Sequence, residues 1–421
     1  MKKLALFLAC AALLGSNAIA QVKLVDEVKK EIGGMSTGLD KFQDGAKKIE
    51  AALANSETAK SAEAWLVAAK ANIGIYDKMV ENKLLGKEYD ASAAAKALLK
   101  AYNCLETALP LDSVLELEKD GTPKVDKKTG AKKYKTKFSK DIVNLMAGRT
   151  MDCRNAGGEA FDGGDKATAY DLWEIYATNH EKPAYKGKFT ADHDTIVGQF
   201  RFYQGVAAWQ LEDAKKAVYA FAKAREKGYV AQEAYDYALA NAVRLDDNYA
   251  TYFTLLEETN EKFGDKDSKY MNDLINHYIG DKTYDKANAL LDKALAKNPQ
   301  NAEALNLKGS LLEAEGKEDD AFKFFESAVA ADPSLVNAQV NYANHFLKQA
   351  DKITMENSSL NDSKLYPMVA PLYEKAVGPL ETALNSDPSN EIVKRALLNI
   401  YYKLSIQNEE YAKKYTALDN K

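Results

Sequence analysis

The sequence predicts an all-α protein, a solenoid of stacked helical hairpins, with a small β-hairpin inserted near residues 112–138. Three observations lead to this fold class. One pattern of apolar residues, small residues and proline occurs twice, at an offset of 34 residues, between Ser268 and Leu335. Apolar side chains recur at helical spacing along most of the chain, which has only 9 prolines in 421 residues. Residues 112–138 instead alternate apolar residues with lysines around glycine-containing turns.

Each copy of the pattern describes two amphipathic helices joined by a short polar turn. Small residues in the second helix let the two helices approach closely, an aromatic residue fills the gap beside them, and proline stops the helix because it has no N–H group. The matching positions are Leu305, Gly309, Leu312, Gly316, Ala321, Phe325, Ala328 and Pro333 in the second copy, and Met271, Ile275, Tyr278, Lys282, Ala287, Leu291, Ala294 and Pro299 in the first.

This spacing resembles the tetratricopeptide repeat (TPR) family, whose small, aromatic and proline positions it matches. The chain departs from the family at Lys308, where the family has an apolar residue, and at Ile275, which replaces the glycine in the first copy. The resemblance implies a TPR-like α-solenoid that binds a protein or peptide, rather than an enzyme with a cofactor.

Residues 1–20 have the features of a secretory signal peptide: two lysines, an apolar run from Leu4 to Leu14, and Ala18-Ile19-Ala20 before Gln21. We expect cleavage after Ala20 and export to the periplasm of a Gram-negative cell. A buried helix and lipidation at Cys10 are the alternatives. No later stretch has the ~18 apolar residues of a transmembrane helix, so any association with the outer membrane is expected to run through a partner.

Charge and cysteine content limit the classes of partner and cross-link. The chain has 57 basic and 62 acidic residues, a formal net charge of −5, which argues against a nucleic-acid partner. Removal of the signal peptide leaves Cys104 and Cys153. After export these two cysteines either form a disulfide or remain unpaired small residues of the core.

The helical register divides the chain into segments. Residues 21–111 form degenerate N-terminal repeats, 112–138 the inserted basic hairpin, and 139–197 a repeat and a loop. Residues 198–390 carry the TPR repeats, interrupted at 351–365, and 391–421 form C-terminal capping helices. A polar stretch at 354–359 and two prolines, Pro371 and Pro379, predict that the helix after the interruption begins late or is kinked.

Within the insertion, Asp120-Gly121 and Thr129-Gly130 mark the predicted turns. Its lysines have two interpretations. They either prevent pairing at the exposed strand edges or contact an anionic surface.

The first helix of each hairpin lines the inner surface of such a solenoid, so exposed residues there form a groove. Asparagines both donate and accept hydrogen bonds and could hold an extended peptide, or they could merely solvate a helix face. Asn341-Tyr342-Ala343-Asn344 resembles the asparagine ladder of certain TPR proteins. The groove residues selected by register are Phe202, Trp209, Asn272, Asn276, Asn306, Asn341 and Asn344.

These features predict an exported scaffold or adaptor that binds a protein or peptide partner for envelope assembly or transport. The aromatic residues Phe202, Tyr203 and Trp209 support a second hypothesis, a carrier that holds a glycan or another small envelope molecule.

No catalytic, cofactor or metal site is predicted. None of the four histidines lies four residues from another, so no helix offers a histidine pair for zinc. The tightest cluster, Asp192-His193-Asp194, precedes a helix, where Asp194 or Thr195 more simply acts as an N-cap.

Two short motifs, Asp112-Ser113-Val114 and Asp194-Thr195-Ile196, resemble the O-glycosylation acceptor motif of secreted proteins of Bacteroidetes. Ser113 and Thr195 are therefore candidate modification sites, and the chain is similar in type to secreted TPR proteins of that group.

Overall fold

The computed structural model describes residues 22–34 and 36–420. The predicted signal peptide and Cys10 lie outside the described residues. The chain divides into two compact units, an N-terminal unit that ends at Tyr252 and a C-terminal unit that begins at Phe253. The predicted fold class is confirmed, because the described residues form α-helices that pair into hairpins, with one small two-stranded sheet. Among the described helices, none combines the length and apolar content needed to cross a membrane.

The described residues of the N-terminal unit form ten helices before the unit boundary, and short 3-10 turns at Thr58–Lys60 and Pro183–Tyr185. The helices are α1 (22–31), α2 (Leu39–Leu53), α3 (Ala62–Leu84), α4 (Ala91–Leu111), α5 (Ser139–Gly148), α6 (Thr150–Asp162), α7 (Lys166–Glu181), α8 (Asp194–Gln210), α9 (Ala214–Glu226) and α10 (Gln232–Ala242). The boundary between the two units falls inside α11 (Ala250–Phe263).

The C-terminal unit continues the series of hairpins. Its helices are α12 (Lys269–Gly280), α13 (Tyr284–Lys297), α14 (Ala302–Ala314), α15 (Glu318–Ala331), α16 (Val336–Glu356), α17 (Asp362–Ser386), α18 (Glu391–Ser405) and α19 (Glu409–Asp419). The two copies of the 34-residue pattern form the hairpins α12/α13 and α14/α15.

Glycine in a first helix meets an aromatic ring of the second helix, as the spacing predicts. A Cβ atom on Gly309 would lie 2.5 Å from the Phe325 ring, and one on Gly205 would lie 2.6 Å from the Phe221 ring. Only a residue without a side chain allows this approach. The predicted seam alanines Ala217, Ala287 and Ala321 are all buried.

The hairpin α12/α13 packs its two helices with different residues at these positions. Ile275 stands at the glycine position and Leu291 at the aromatic position, and both are fully buried. A larger residue in one helix is therefore matched by a smaller residue in the other, which keeps the volume of the core roughly constant.

The turn between the paired helices uses one backbone conformation at equivalent positions. Glu212, Lys282 and Gly316 have φ angles of 60°, 58° and 80°. This left-handed region suits glycine, whereas a side chain there costs about 1 kcal/mol or more. The turn geometry is therefore maintained even where the sequence has no glycine.

The insertion between α4 and α5 contains strands β1 (Val114–Leu115) and β2 (Tyr134–Lys135), which pair antiparallel as predicted. Isolated bridges join Leu117 to Pro123 and Val125 to Lys132. The two strands therefore form the base of the insertion, and the chain between them makes two short hairpins, one across 117–123 and one across 125–132.

Asp112 closes the base of the insertion. Its buried carboxylate accepts hydrogen bonds from the backbone N–H groups of Lys137, Phe138 and Ser139 and from the Ser139 hydroxyl, at 2.6–3.1 Å. Although burial opposes it, this set of donors lowers the pKa of Asp112. The same hydrogen bonds satisfy free N–H groups at the start of α5.

The interruption expected at 351–365 is largely helical. Helix α16 continues to Glu356 and α17 begins at Asp362, so only residues 357–361 form a loop, and the predicted late start of the second helix is wrong. The extended ends are stabilised because Ile353, Leu365 and Tyr366 pack against the core of this unit. Helix α17 accommodates three prolines, Pro367, Pro371 and Pro379.

Both described cysteines are free and buried. Burial raises the pKa of the Cys104 thiol to about 11 and also raises the pKa of the Cys153 thiol. They are therefore small core residues with little thiolate at neutral pH.

Candidate functional site

A polar pocket of about 320 Å³ opens in the C-terminal unit along three successive first helices, α12, α14 and α16. The sequence pattern predicted five groove asparagines on these helices, and four of them line the pocket. The complete lining is Asn272, Asn276, Glu303, Asn306, Leu307, Ser310, Leu335, Asn337, Val340 and Asn341. Amides from three separate hairpins therefore face one shared space.

Two of these amides are held in place by each other. The Asn341 Nδ2 donates to the Asn306 Oδ1 at 2.9 Å and lies 3.4 Å from the Ser310 Oγ. The Ser310 hydroxyl in turn donates to the Asn306 carbonyl oxygen at 3.3 Å. Asn306 is buried and Asn341 half-buried. This network fixes the amide orientations on α14 and α16, and it leaves the Asn306 Nδ2 and the Asn341 Oδ1 available to a ligand.

The α12 side of the pocket is different. Within the described residues, the side chains of Asn272 and Asn276 make no hydrogen bond, and Asn276 is exposed. An unengaged amide can donate two hydrogen bonds and accept up to two. This wall therefore offers hydrogen-bonding capacity that a bound molecule could use without breaking an existing contact.

The pocket also contains a carboxylate that the register analysis did not select. Glu303 lines the pocket, is half-exposed, and has no ion-pair partner among the described residues. Asn337, exactly one repeat length later at 34 residues, was also missed. Both lie in the first turn of their helices. Glu303 and Asn337 occupy the same position in successive repeats, and this spacing could have identified both as pocket residues.

Asn344 does not line the pocket. It is half-buried on α16, one turn beyond the network formed by Asn341. The position equivalent to Asn344 in the preceding repeat is Ser310, which does line the pocket. Helix α16 therefore contributes Asn341, and not Asn344, to the pocket.

The aromatic residues selected by register lie in the N-terminal unit and have different environments. Phe202 is buried, and its ring stacks on Tyr229 with centroids 5.0 Å apart, so it serves packing. Trp209 is 38% exposed and its ring lies 5.0 Å from that of Tyr237. Tyr203 is 37% exposed but packs against Trp173. Trp209 and Tyr203 are six residues apart on α8 and lie on different faces of the helix.

Lys308, the apparent departure from the repeat pattern, bridges two repeats. Its Nζ lies 2.7 Å from the Asp292 carboxylate and donates to the Asn288 side-chain oxygen at 2.7 Å, both on α13. The aliphatic part of the lysine is largely covered. A lysine can occupy this covered position because its ammonium group reaches polar partners on α13.

The Asp192-His193-Asp194 cluster is part of a structural network. The Asp192 carboxylate accepts hydrogen bonds from the Tyr176 hydroxyl at 2.6 Å and from Arg154 at 2.8 Å. His180 accepts a hydrogen bond from the Asp192 backbone N–H at 3.2 Å. These contacts hold the loop before α8 against α6 and α7. Across the described part of the chain, no group of three or more histidine, cysteine or acidic residues is arranged to hold a metal ion.

The two candidate modification sites are accessible. Ser113 is exposed directly before β1, and Thr195 is exposed in the first turn of α8. The acidic residues before them differ, because Asp112 is buried in its hydrogen-bond network whereas Asp194 is exposed.

Comparison with known proteins supports the repeat assignment. Residues 273–335 match the family model described as Tetratricopeptide repeat. No curated protein sequence matches the chain.

Several solved TPR structures align with the chain. YrrB, described as a TPR protein with an unusual peptide-binding site, aligns with 19% identity and a TM-score of 0.30, covering 52% of this chain and 98% of YrrB. A TPR repeats protein from Bacteroides fragilis aligns with 14% identity and a TM-score of 0.32, covering 60% and 97%. The C-terminal part of a TPR protein from Cytophaga hutchinsonii aligns with 12% identity and a TM-score of 0.37, covering 63% and 95%. The segment 273–335, which contains most of α12 and all of α13 to α15, is thus similar in sequence to the tetratricopeptide repeat family.

Proposed function

We propose that this chain is an exported scaffold or adaptor that binds an extended segment of a partner protein in the amide-lined pocket of the C-terminal unit. One observation carries the proposal: Asn272, Asn276, Asn306 and Asn341, from three successive hairpins, line the same pocket. The tetratricopeptide repeat is in general a protein-interaction fold, and the amide-lined pocket is consistent with this role.

The chemistry of the pocket suits a peptide backbone. An extended peptide presents alternating N–H and C=O groups, and a carboxamide can bind both. The unengaged amides of Asn272 and Asn276 supply one wall, while the hydrogen-bonded pair of Asn306 and Asn341 supplies the opposite wall. The amide contacts recognise the backbone and therefore tolerate different side chains.

Affinity selection from a randomised peptide library, displayed in extended form, tests this proposal. A selected peptide is then titrated by calorimetry against the parent chain and against an Asn272→Ala/Asn276→Ala double variant. We expect at least a tenfold weaker affinity in the double variant, because each lost hydrogen bond contributes about 1 kcal/mol.

Asn385→Ala/Asn399→Ala is the matched control, since both asparagines are exposed on other helices of the same unit. Unchanged affinity in the Asn272/Asn276 variant, or an equal loss in the control, would contradict the pocket assignment.

Export is the second part of the proposal. It is supported by the two lysines, the apolar run from Leu4 to Leu14 and the small residues before Gln21. Fractionation of the native cells and sequencing of the protein's N-terminus would test it. A periplasmic protein that begins at Gln21 is the expected result, and a cytoplasmic protein that retains Met1 would refute export.

The alternative function, a carrier for a glycan or another small envelope molecule, rests on the exposed ring of Trp209 next to Tyr237. Aromatic faces are suitable platforms for the apolar faces of sugars and similar ligands. Competition between the selected peptide and a panel of oligosaccharides distinguishes the two functions. A saccharide that binds the parent chain but not a Trp209→Ala variant would favour the carrier.

A further inference from the structure

The insertion between α4 and α5 has two chemically different faces. Directly opposed residues lie on the same face of a sheet, and side chains alternate along each strand. The backbone pairing therefore places three pairs on one face: Leu115 with Tyr134, Leu117 with Pro123, and Val125 with Lys132. These three pairs, which are mostly apolar, form the apolar face of the insertion.

The opposite face carries two ion pairs and the exposed pair Val114 and Lys135. The Lys124 ammonium lies 3.2 Å from the Glu116 carboxylate, and the Lys133 ammonium lies 4.0 Å from the Asp126 carboxylate. Each pair joins the two sides of one of the short hairpins. The alternation of the two faces is therefore regular, although the strands are short.

The apolar face is not covered by the rest of the N-terminal unit. Leu117, Val125 and Tyr134 are 52%, 50% and 54% exposed. Three large apolar side chains that share one face of a two-turn insertion form a patch rather than isolated surface residues, and such patches mark interaction sites.

Unpaired positive charge is concentrated in the insertion. Five lysines of the insertion are exposed and have no ion-pair partner among the described residues: Lys119, Lys127, Lys128, Lys132 and Lys135. The chain as a whole carries a net charge of −5. A local concentration of unpaired lysines on an acidic protein indicates an anionic partner.

We propose that the insertion docks on an anionic lipid bilayer, with Leu117, Val125 and Tyr134 entering the membrane interface and the lysines on that face and in the turns contacting lipid phosphates. These lysines are Lys119, Lys127, Lys128 and Lys132. Tyrosine favours the membrane interface because its ring is apolar and its hydroxyl is polar. Lysines beside it add attraction to anionic headgroups. A bilayer fits a small flat patch of this kind, since it demands no shaped complementary surface.

This inference is independent of the proposed peptide site. The insertion belongs to the N-terminal unit and the amide-lined pocket to the C-terminal unit. Membrane binding and peptide binding can therefore be lost separately, and the failure of one leaves the other in place.

Co-sedimentation with vesicles tests the proposal. The exported form, which begins at Gln21, is mixed with vesicles of phosphatidylglycerol and phosphatidylcholine, or of phosphatidylcholine alone, because the apolar leader would itself bind lipid. We expect binding only to the vesicles that contain phosphatidylglycerol, with a loss at high salt. No binding to the anionic vesicles, or equal binding to both kinds, would overturn the proposal.

Two substitution sets locate the contact. Replacement of Lys119, Lys127, Lys128 and Lys132 by glutamine is expected to weaken partitioning by at least about tenfold. The control replaces Lys41, Lys47, Lys70 and Lys215, which are exposed in the same unit, and is expected to bind like the parent. Equal losses in the two sets would show a general charge effect and would overturn the assignment to the insertion.

A spectroscopic readout tests whether the apolar face enters the interface. In a Tyr134→Trp variant, brominated phosphatidylcholine mixed with phosphatidylglycerol is expected to quench the added fluorescence relative to the parent chain. Unquenched fluorescence on bound vesicles would refute insertion of this face. Binding to soluble polyglutamate but not to vesicles would assign the lysines to an acidic protein instead.

Discussion

The side chain of Asn341 donates a hydrogen bond to that of Asn306, 35 residues earlier, over a distance of 2.9 Å. The bond joins α16 to α14, the first helices of two successive hairpins. It also belongs to the lining of the candidate pocket. This hydrogen bond therefore holds two successive hairpins together and also fixes two side chains that line the pocket.

Substitution of Asn341 by alanine should affect both stability and binding. The change leaves the oxygen of the buried Asn306 side chain without its donor, so we expect a loss of about 1–2 kcal/mol in the free energy of unfolding. Urea denaturation measures this loss, and calorimetry with a selected peptide measures the change in affinity. Asn344→Ala is the control, because Asn344 does not line the pocket. Equal peptide affinity in parent and Asn341→Ala would remove Asn341 from the site.

Glu303 should give the pocket a preference for basic peptides. Its carboxylate has no ion-pair partner among the described residues, so a lysine or arginine of the ligand can pair with it. We expect selected peptides to be enriched in basic residues and to bind about fivefold more weakly to Glu303→Gln, in proportion to a partly exposed ion pair of about 1 kcal/mol. Glu326→Gln, an exposed position on α15, is the control. Selection of acidic peptides would contradict this role.

Glycine at the α12–α13 turn should stabilise the C-terminal unit. Lys282 has a φ of 58°, where the equivalent residue of the next hairpin is glycine. Lys282→Gly is expected to raise the free energy of unfolding by about 1 kcal/mol, because the left-handed conformation disfavours a side chain. Lys293→Gly, in the middle of α13, should lower it by a similar amount. If both changes destabilise the protein equally in urea denaturation, the turn is not strained.

Asp112 should make the insertion sensitive to acid. Its pKa is lower in the folded protein than in the unfolded chain, so its stabilising effect is complete above about pH 4 and is lost as the pH falls through the folded value. Asp112→Asn should remove the effect at neutral pH, at a cost of about 2 kcal/mol. Urea denaturation and limited proteolysis within the exposed residues 118–130 provide the measurements. Asp120→Asn, at an exposed turn, is the control. Identical cleavage rates in Asp112→Asn and the parent would disprove the closing role.

Glycosylation at the exposed residues Ser113 and Thr195 should appear in the mass of the native protein. Protein purified from its own cells is expected to exceed the mass calculated for residues 21–421 by that of a glycan. Loss of the added mass in Ser113→Ala or Thr195→Ala would assign the site. A native mass equal to the calculated one would exclude modification at both positions.

The 34-residue spacing predicted the hairpins well because it reports a local packing rule. The Gly309 and Phe325 positions could be paired from sequence, since a residue without a side chain must face a large ring when two helices approach closely. The turn positions followed from the same register, even at Lys282, where glycine is absent.

Residues whose environment depends on other repeats were harder to predict. Phe202 occupies an inner position by register, but Tyr229 and the neighbouring rings cover it. The polar residues 354–359 indicated a long loop, whereas the contacts of Ile353 and Tyr366 with the core extend both helices. Glu303 could not be assigned to the pocket from the amide pattern, because it lies in the first turn of α14, one turn before Asn306.

The burial of Cys104 and Cys153 has a practical consequence. Their sulfur atoms are out of reach of small oxidants and alkylating reagents while the helices stay packed, and the raised pKa of Cys104 keeps it protonated. Labelling by a maleimide then reports the opening of the surrounding helices. The wild-type protein thus carries its own probe of local unfolding in the N-terminal unit, without any engineered thiol.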